Sequence, residues 1–201
     1  MSNETIETFV FFGIMGSGKG TQIKLLTDFL KVRNGKEVVY AGPGEGFREL
    51  INSGNYTGNI IKEFHDNGIL VPDFITNSLF TNILISSLTD QKHLVVDGYP
   101  RAVAQSKNFE DLMKFYKRYN IKIIYINVKQ EEAVKRNLSR GRKDDTEEGI
   151  SRRIKMFFDD VVPSMEYFKG KSDYEMIDIN GEQTIEEVHK EIISKLGFAS
   201  N

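Results

Sequence analysis

Residues 9–22, FVFFGIMGSGKGTQ, decide the fold. Phe9 to Phe12 form an unbroken apolar run, the pattern of a short strand buried on both faces. Gly13, Gly16 and Gly18 follow, and such residues reach backbone conformations closed to others, so that successive N–H groups point inward at a phosphate. From Lys19 the pattern turns helical: Ile23, Leu26, Phe29 and Leu30 recur at helical spacing, and Gly35 stands where a helix stops. A strand, a loop containing Ser17, and a helix opening on Gly-Lys together make a phosphate cradle, in which Lys19 adds a point charge at the β- and γ-phosphates. A glycine-rich turn with a merely solvated lysine is the plainer alternative. One position departs from the usual loop. Where a Ser or Thr hydroxyl commonly meets magnesium, directly after the lysine, this chain has Gly20, and Thr21 comes one place later. The ion must then depend more on phosphates and water.

Further short runs rich in Val and Ile, at 37–40, 93–96, 122–128 and 174–179, read as four more buried strands separated by longer amphipathic stretches. This alternation predicts an α/β fold, a five-stranded parallel sheet with helices on both faces and ligands at the carboxyl ends of the strands. Two stretches break it. Residues 42–89 carry about three helical segments and no strand, and 131–171 read as a pair of charged helices around Gly141; both are expected to be mobile subregions attached to the core. With 201 residues, one domain spanning 1–201 suffices.

A formal net charge of −2 argues against a general nucleic-acid or membrane-surface binder, which needs a broad positive field. Five of the nine arginines, Arg136, Arg140, Arg142, Arg152 and Arg153, nevertheless fall in one stretch, which suggests a local polyanion site. The chain has no cysteine, hence no thiolate nucleophile and no cysteine-held zinc, and His65, His93 and His189 stand in no metal spacing. The polar, acidic start MSNETIET and the lack of any long apolar run lead to the expectation of a cytoplasmic protein.

A second acidic site complements the loop. In HLVVDGYPR, residues 93–101, a buried strand delivers Asp97 to the same end of the sheet, where an aspartate can hold magnesium-bound water or, more plainly, cap a turn. Gly98 and Tyr99 follow, then Arg101, whose guanidinium can grip phosphate bidentately. With PGEGFR at 43–48, GILVPD at 68–73, Gln105, RNLSRGRKDD at 136–145 and INGEQT at 179–184, the chain resembles the adenylate kinase family of nucleoside monophosphate kinases. The likeness covers nearly the whole chain, with the motifs in the family's order. In that family glycine after the lysine is the rule, because magnesium is held mostly by the two nucleotides' phosphates and ordered water.

The resemblance implies a P-loop NTPase fold of the nucleoside monophosphate kinase type, with an acceptor-binding subregion at 42–71 and a short lid at 140–146. It implies ATP on Gly13, Gly16 to Thr21, Arg136 and Gln183, and AMP on Pro43, Arg48, Ile69, Leu70, Val71, Gly98, Tyr99, Arg101 and Gln105. Arg48 and Arg101 match arginines that grip the acceptor phosphate, and Gln105 a glutamine that hydrogen-bonds the adenine edge. Arg140, Arg142 and Arg153 match those that clamp the moving phosphoryl, beside Asp144 and Asp145. Together with Lys19 and Arg101 they form the expected catalytic set, although arginines on helices also serve as solvated faces. Only Gly141 separates Arg140 from Arg142, so the lid is expected to be short and without zinc; Mg2+, reached from Asp97 through water, is the expected metal. Pro43 and Gly46 depart from the family pattern at the wall of the acceptor pocket. A monomeric adenylate kinase is the reading carried forward, with a UMP/CMP kinase as alternative and a non-catalytic ATP-binding switch or assembly factor as a rival of another class.

Overall fold

The computed structural model describes residues 5–140 and 146–198. The expected sheet is present, with no strand end displaced by more than one residue: β1 Thr8–Phe12, β2 Val38–Ala41, β3 His93–Asp97, β4 Ile121–Asn127 and β5 Tyr174–Asn180. The strands lie in the order β2-β3-β1-β4-β5, and every pairing is parallel. All five residues of β1 are buried, as a central strand covered on both faces requires.

The strand order places the helices. Helix α1 (Lys19–Asn34) carries the chain from β1 outward to β2, whereas the later crossovers run the opposite way across the sheet. Right-handed connections therefore put α1 on one face, and α4 (Asp73–Ser87) and α5 (Val103–Phe115) on the other. The last helix, α9 (Ile185–Lys195), returns to pack on α1, and beside it Phe198 stacks on Phe29. On the opposite face Phe80, Tyr99, Phe109 and Phe168 form one buried aromatic stack. Because connections leave β1 on one face and β3 and β4 on the other, a crevice opens over their carboxyl ends.

The two interruptions are helical. Residues 44–66 fold as α2 (Gly44–Asn52) and α3 (Tyr56–Asp66), so closely packed that a Cβ on Gly58 would lie 1.9 Å from the Leu50 carbonyl oxygen. Beyond β4 come α6 (Gln130–Arg140) and α7 (Glu147–Met156). The sequence reading ends this charged pair as ordinary helix, but α7 continues through a π-helical turn, Phe157–Val161, into α8 (Val162–Glu166). The wider turn sets Phe157 against Tyr125 of β4. Among the described residues no helix is long and apolar enough to cross a membrane.

Two stability predictions follow from this packing. An exposed helical Gly→Ala change normally stabilises, yet Gly58→Ala should destabilise by roughly 1–3 kcal/mol because backbone fills the space its methyl needs. A raised midpoint in urea unfolding would contradict this. His93 is fully buried; its Nδ1 accepts from the Glu7 N–H at 3.1 Å, and burial pushes its pKa down to about 4. The folded state therefore favours the neutral ring, and stability should fall as pH drops from about 6.5 toward 4, where the unfolded chain binds the extra proton. Urea titrations of wild type and His93→Gln across that window should differ in pH slope, the variant being flatter.

Candidate nucleotide-binding site

The loop between β1 and α1 is held by contacts its own sequence does not contain. Gly13 (φ +151°) has no room for a Cβ, which would meet both the Ile126 carbonyl oxygen and Ser17 Oγ at 2.7 Å. Gly16 (φ +82°) lies against α6, where a Cβ would fall 2.6 Å from Asn137 Nδ2. Asn137, wholly buried, donates to the Met15 carbonyl at 3.0 Å and so ties the loop to α6. Gly18 caps α1 in a left-handed conformation with no side chain accepting from the first turn, which leaves those N–H groups aimed into the crevice. Lys19 donates to the carbonyls of Gly13 and Ile14, curling over the loop. Ser17 Oγ is buried and has no hydrogen-bond partner among the described residues. A buried hydroxyl without a partner inside such a cradle fits a phosphate oxygen. Gly20 and Thr21 are exposed, and nothing stands within 4 Å of where a Gly20 Cβ would be, so space does not dictate the glycine.

Sheet register brings the second group to the loop. Phe11 pairs with Asp97, so the aspartate sits level with the last turn of β1. Gly98 (φ +68°) lets the chain fold so that Arg101 Nε donates to the Gly98 carbonyl at 2.9 Å. Arg48 reaches back along α2, its Nη1 3.5 Å from where a Gly44 Cβ would lie. Pro43 is the cap of α2 and, as expected, offers no side-chain hydrogen bond there. Tyr40, near the end of β2, donates its hydroxyl to Asp97 Oδ2 at 3.0 Å. Burial and the adjoining Asp97 carboxylate push this phenol's pKa up, so it remains a donor. Sequence reasoning missed Tyr40 and Asn137. For Tyr40 the available signal was an aromatic with a polar tip near the carboxyl end of a strand; for Asn137, a lone amide on the apolar side of a charged helix.

Two residues expected on the acceptor side are hydrogen-bonded within the protein. Gln105 is only 1% exposed, and its amide is turned into the protein: Oε1 accepts from the Arg101 N–H at 2.9 Å, while Nε2 donates to Asp73 Oδ1 at 2.7 Å. A buried amide must find partners, and here they are the chain itself. Tyr99 points away from the crevice; its ring stacks on Phe80 at 4.0 Å, and its hydroxyl donates to Asn77 and accepts from Asn108. Only its backbone borders the site. Ile69 is exposed, Leu70 and Val71 are half-buried, and Thr76 donates to the Val71 carbonyl at 3.3 Å, fixing that segment to α4.

On the far side Arg136 donates from Nη1 to the Gly181 carbonyl at 3.0 Å and pairs with Glu132 at 2.7 Å. Gln183 donates to the Asn180 carbonyl and to Glu191. Residues far apart in sequence thus flank one turn at the ends of β4 and β5. Arg153 donates to the Gly149 carbonyl at 3.1 Å and faces a cavity of about 340 Å3 between α3 and α7. Arg152, unassigned by sequence, packs on Gly68 at the end of α3, its Nη2 3.5 Å from the Asp66 carbonyl. Arg142, Asp144 and Asp145 lie outside the described residues, as does the side chain of Arg140. Among the described residues no three His, Asp or Glu side chains gather as a metal site. Asp97 stands at the strand end with Tyr40 on its Oδ2 and, among the described residues, in no acidic cluster, which fits an ion held chiefly by nucleotide phosphates and water.

A glycine loop joining a central strand to its helix, facing a strand-end aspartate on a parallel sheet, defines a P-loop nucleotide-binding protein. The family model described as adenylate kinase matches residues 11–173, and the chain belongs to the adenylate kinase family. It is similar to adenylate kinase 1 of Nostoc sp., with 31% identity across 94% of this chain and 97% of that protein. The adenylate kinase of Oenococcus oeni shares 30% across 89% and 93%, and that of Rickettsia bellii 31% across 93% and 98%.

The inward-turned Gln105 carries a prediction. Gln105→Ala should raise the acceptor KM by a similar factor, about tenfold, for purine and pyrimidine monophosphates, because it frees the Arg101 backbone and not a base contact. Loss confined to AMP would show that the amide reads adenine.

Proposed function

We propose that this protein is a nucleoside monophosphate kinase that transfers a phosphoryl group reversibly from Mg·ATP to AMP, giving two ADP. What supports this reading is the register at the carboxyl edge: Asp97 lies level with Phe11 at the start of the Lys19 loop, Arg101 is within electrostatic reach of Asp97 and Tyr40, and Arg48 of Tyr40. A switch that only bound ATP would have no use for the acceptor arginines.

In this reading the loop N–H groups, Ser17 and Lys19 hold the donor phosphates, and Arg136 with the turn at Gln183 holds the donor base. Arg48 and Arg101 hold the acceptor phosphate, with residues 42–71 as its binding subregion. An oxygen of that phosphate attacks the γ-phosphorus, the bond from the γ-phosphorus to the β–γ bridging oxygen breaks, and the electron pair leaves on the ADP product. The attacking phosphate is already ionised, so no general base is required. Arg153 approaches from the α7 side, and Arg140 and Arg142, on a short lid at 140–146, complete the charge around the moving group. Alignment and preorganised positive charge supply the rate enhancement. Magnesium bound with the nucleotide supplies charge neutralisation at the phosphates, with Asp97 as its water-mediated partner.

The UMP/CMP alternative draws support from Pro43, which has no side-chain hydrogen-bonding group, and from Gln105, whose amide is bonded to Arg101 and Asp73. AMP remains the preferred acceptor in this reading, in line with the relatives, which are adenylate kinases by name. The test is ADP formation from Mg·ATP with AMP, CMP, UMP or GMP. Lys19→Met should lower kcat by on the order of 10³ with the fold intact. Near-normal turnover in that variant would overturn the donor site; CMP or UMP equal to AMP would favour the pyrimidine kinase.

A further inference from the structure

Tyr40 stands in the crevice without a role in the scheme above. It lies on β2, paired with Val95 of β3, and Asp97 is two residues farther along the same face of that neighbouring strand. Two residues of strand rise about 6.6 Å, a span that a phenol can bridge and a shorter polar side chain cannot. The hydroxyl accordingly meets Asp97 Oδ2 at 3.0 Å. Gly42, the next residue of β2's chain on that face, leaves room for the contact: a Cβ there would lie 2.7 Å from the Asp97 carbonyl oxygen and 3.4 Å from the Tyr40 hydroxyl. The ring is 51% exposed, so core packing does not account for its orientation. The hydrogen bond does.

We infer that Tyr40 is a positioning residue for the metal-bearing edge of the site: its hydroxyl fixes the Asp97 carboxylate on Oδ2 and so presents Oδ1 to water bound on a divalent cation. The inference rests on the reading of Asp97 as the metal-side carboxylate. A carboxylate at a strand end can turn about its side-chain torsions, and each orientation lost to rotation weakens a water-mediated contact that has no second protein carboxylate to support it. Among the described residues Asp97 has no neighbouring acidic cluster to share the ion. With glycine at position 20 the loop adds no hydroxyl directly after its lysine. The orientation of Asp97 therefore weighs more here than where a loop hydroxyl also binds the ion. Groups that orient a ligating residue commonly alter metal affinity by about 10–100-fold when removed.

The experiment titrates Mn2+, followed by electron paramagnetic resonance, into the full-length protein with AMP and a β,γ-methylene analogue of ATP that cannot transfer its phosphoryl group. Tyr40→Phe keeps the ring and removes only the hydroxyl. It should weaken Mn2+ by about tenfold, while AMP and the analogue, measured without metal, change by less than about twofold. Asp97→Asn should weaken Mn2+ at least as much, and the double variant should be no weaker than Asp97→Asn alone, because the hydroxyl acts through the carboxylate. If Asp97→Asn leaves Mn2+ affinity unchanged, the metal reading of Asp97 fails and the role of Tyr40 fails with it. If Asp97→Asn weakens Mn2+ while Tyr40→Phe does not, or the two losses add in the double variant, the role of Tyr40 alone is overturned. Thermal unfolding of Tyr40→Phe close to wild type accompanies the expected result.

Discussion

The pairing of β1 with β3 and β4 is the constraint on which the site depends. Because β1 is buried on both faces and hydrogen-bonded on both edges, its end cannot shift. The loop that leaves it therefore starts from a fixed point. Phe11 opposite Asp97 sets the depth of the aspartate relative to the loop, and Phe12 opposite Tyr125 sets the level at which β4 passes beneath it. The Ile126 carbonyl oxygen then excludes any side chain at Gly13. A one-residue slip would turn Asp97 to the opposite face, and the crevice would lose its carboxylate.

Around this fixed edge the positive charge is delivered by separate helical arms. Arg48 comes from α2, Arg101 from the turn before α5, Arg136 from α6 and Arg153 from α7. Arg101 lies within electrostatic reach of Asp97, and Arg48 of Tyr40, whereas Arg136 is paired with Glu132 and Arg153 faces the cavity between α3 and α7. Two of the arms already touch: Arg152 on α7 packs against Gly68 at the end of α3, where its guanidinium lies beside carbonyls at the negative end of that helix. The end of α3 and helix α7 thus share a small, polar contact.

Buried polar groups in this protein are used by the protein first. Gln105 supports the Arg101 backbone and Asp73, Tyr99 completes a network with Asn77 and Asn108, and Asn137 holds the loop on α6. Each is hydrogen-bonded to another segment of the chain. Ser17 Oγ is one of five buried side-chain atoms with no hydrogen-bond partner among the described residues, beside Thr8 Oγ1, Gln22 Oε1, Arg118 Nη1 and His189 Nδ1, and it is the one that lies in the cradle.

The sequence by itself determined the layers, the strands to within a residue, and the placement of the loop, because apolar period and glycine position are local signals. It also put Asp97 at the carboxyl end of β3, since a motif on a strand end has only one edge to occupy. Side-chain direction lay beyond it. Whether Gln105 faces a base or its own chain depends on Asp73, 32 residues away, and whether Tyr40 is surface or site depends on an aspartate one strand over. The π-helical turn at 157–161, with Phe157 stacked against Tyr125 of β4, was not read from the sequence. Hydrogen bonds and ring contacts between segments distant in the chain settle such choices, and their partners are known only once the chain has closed on itself.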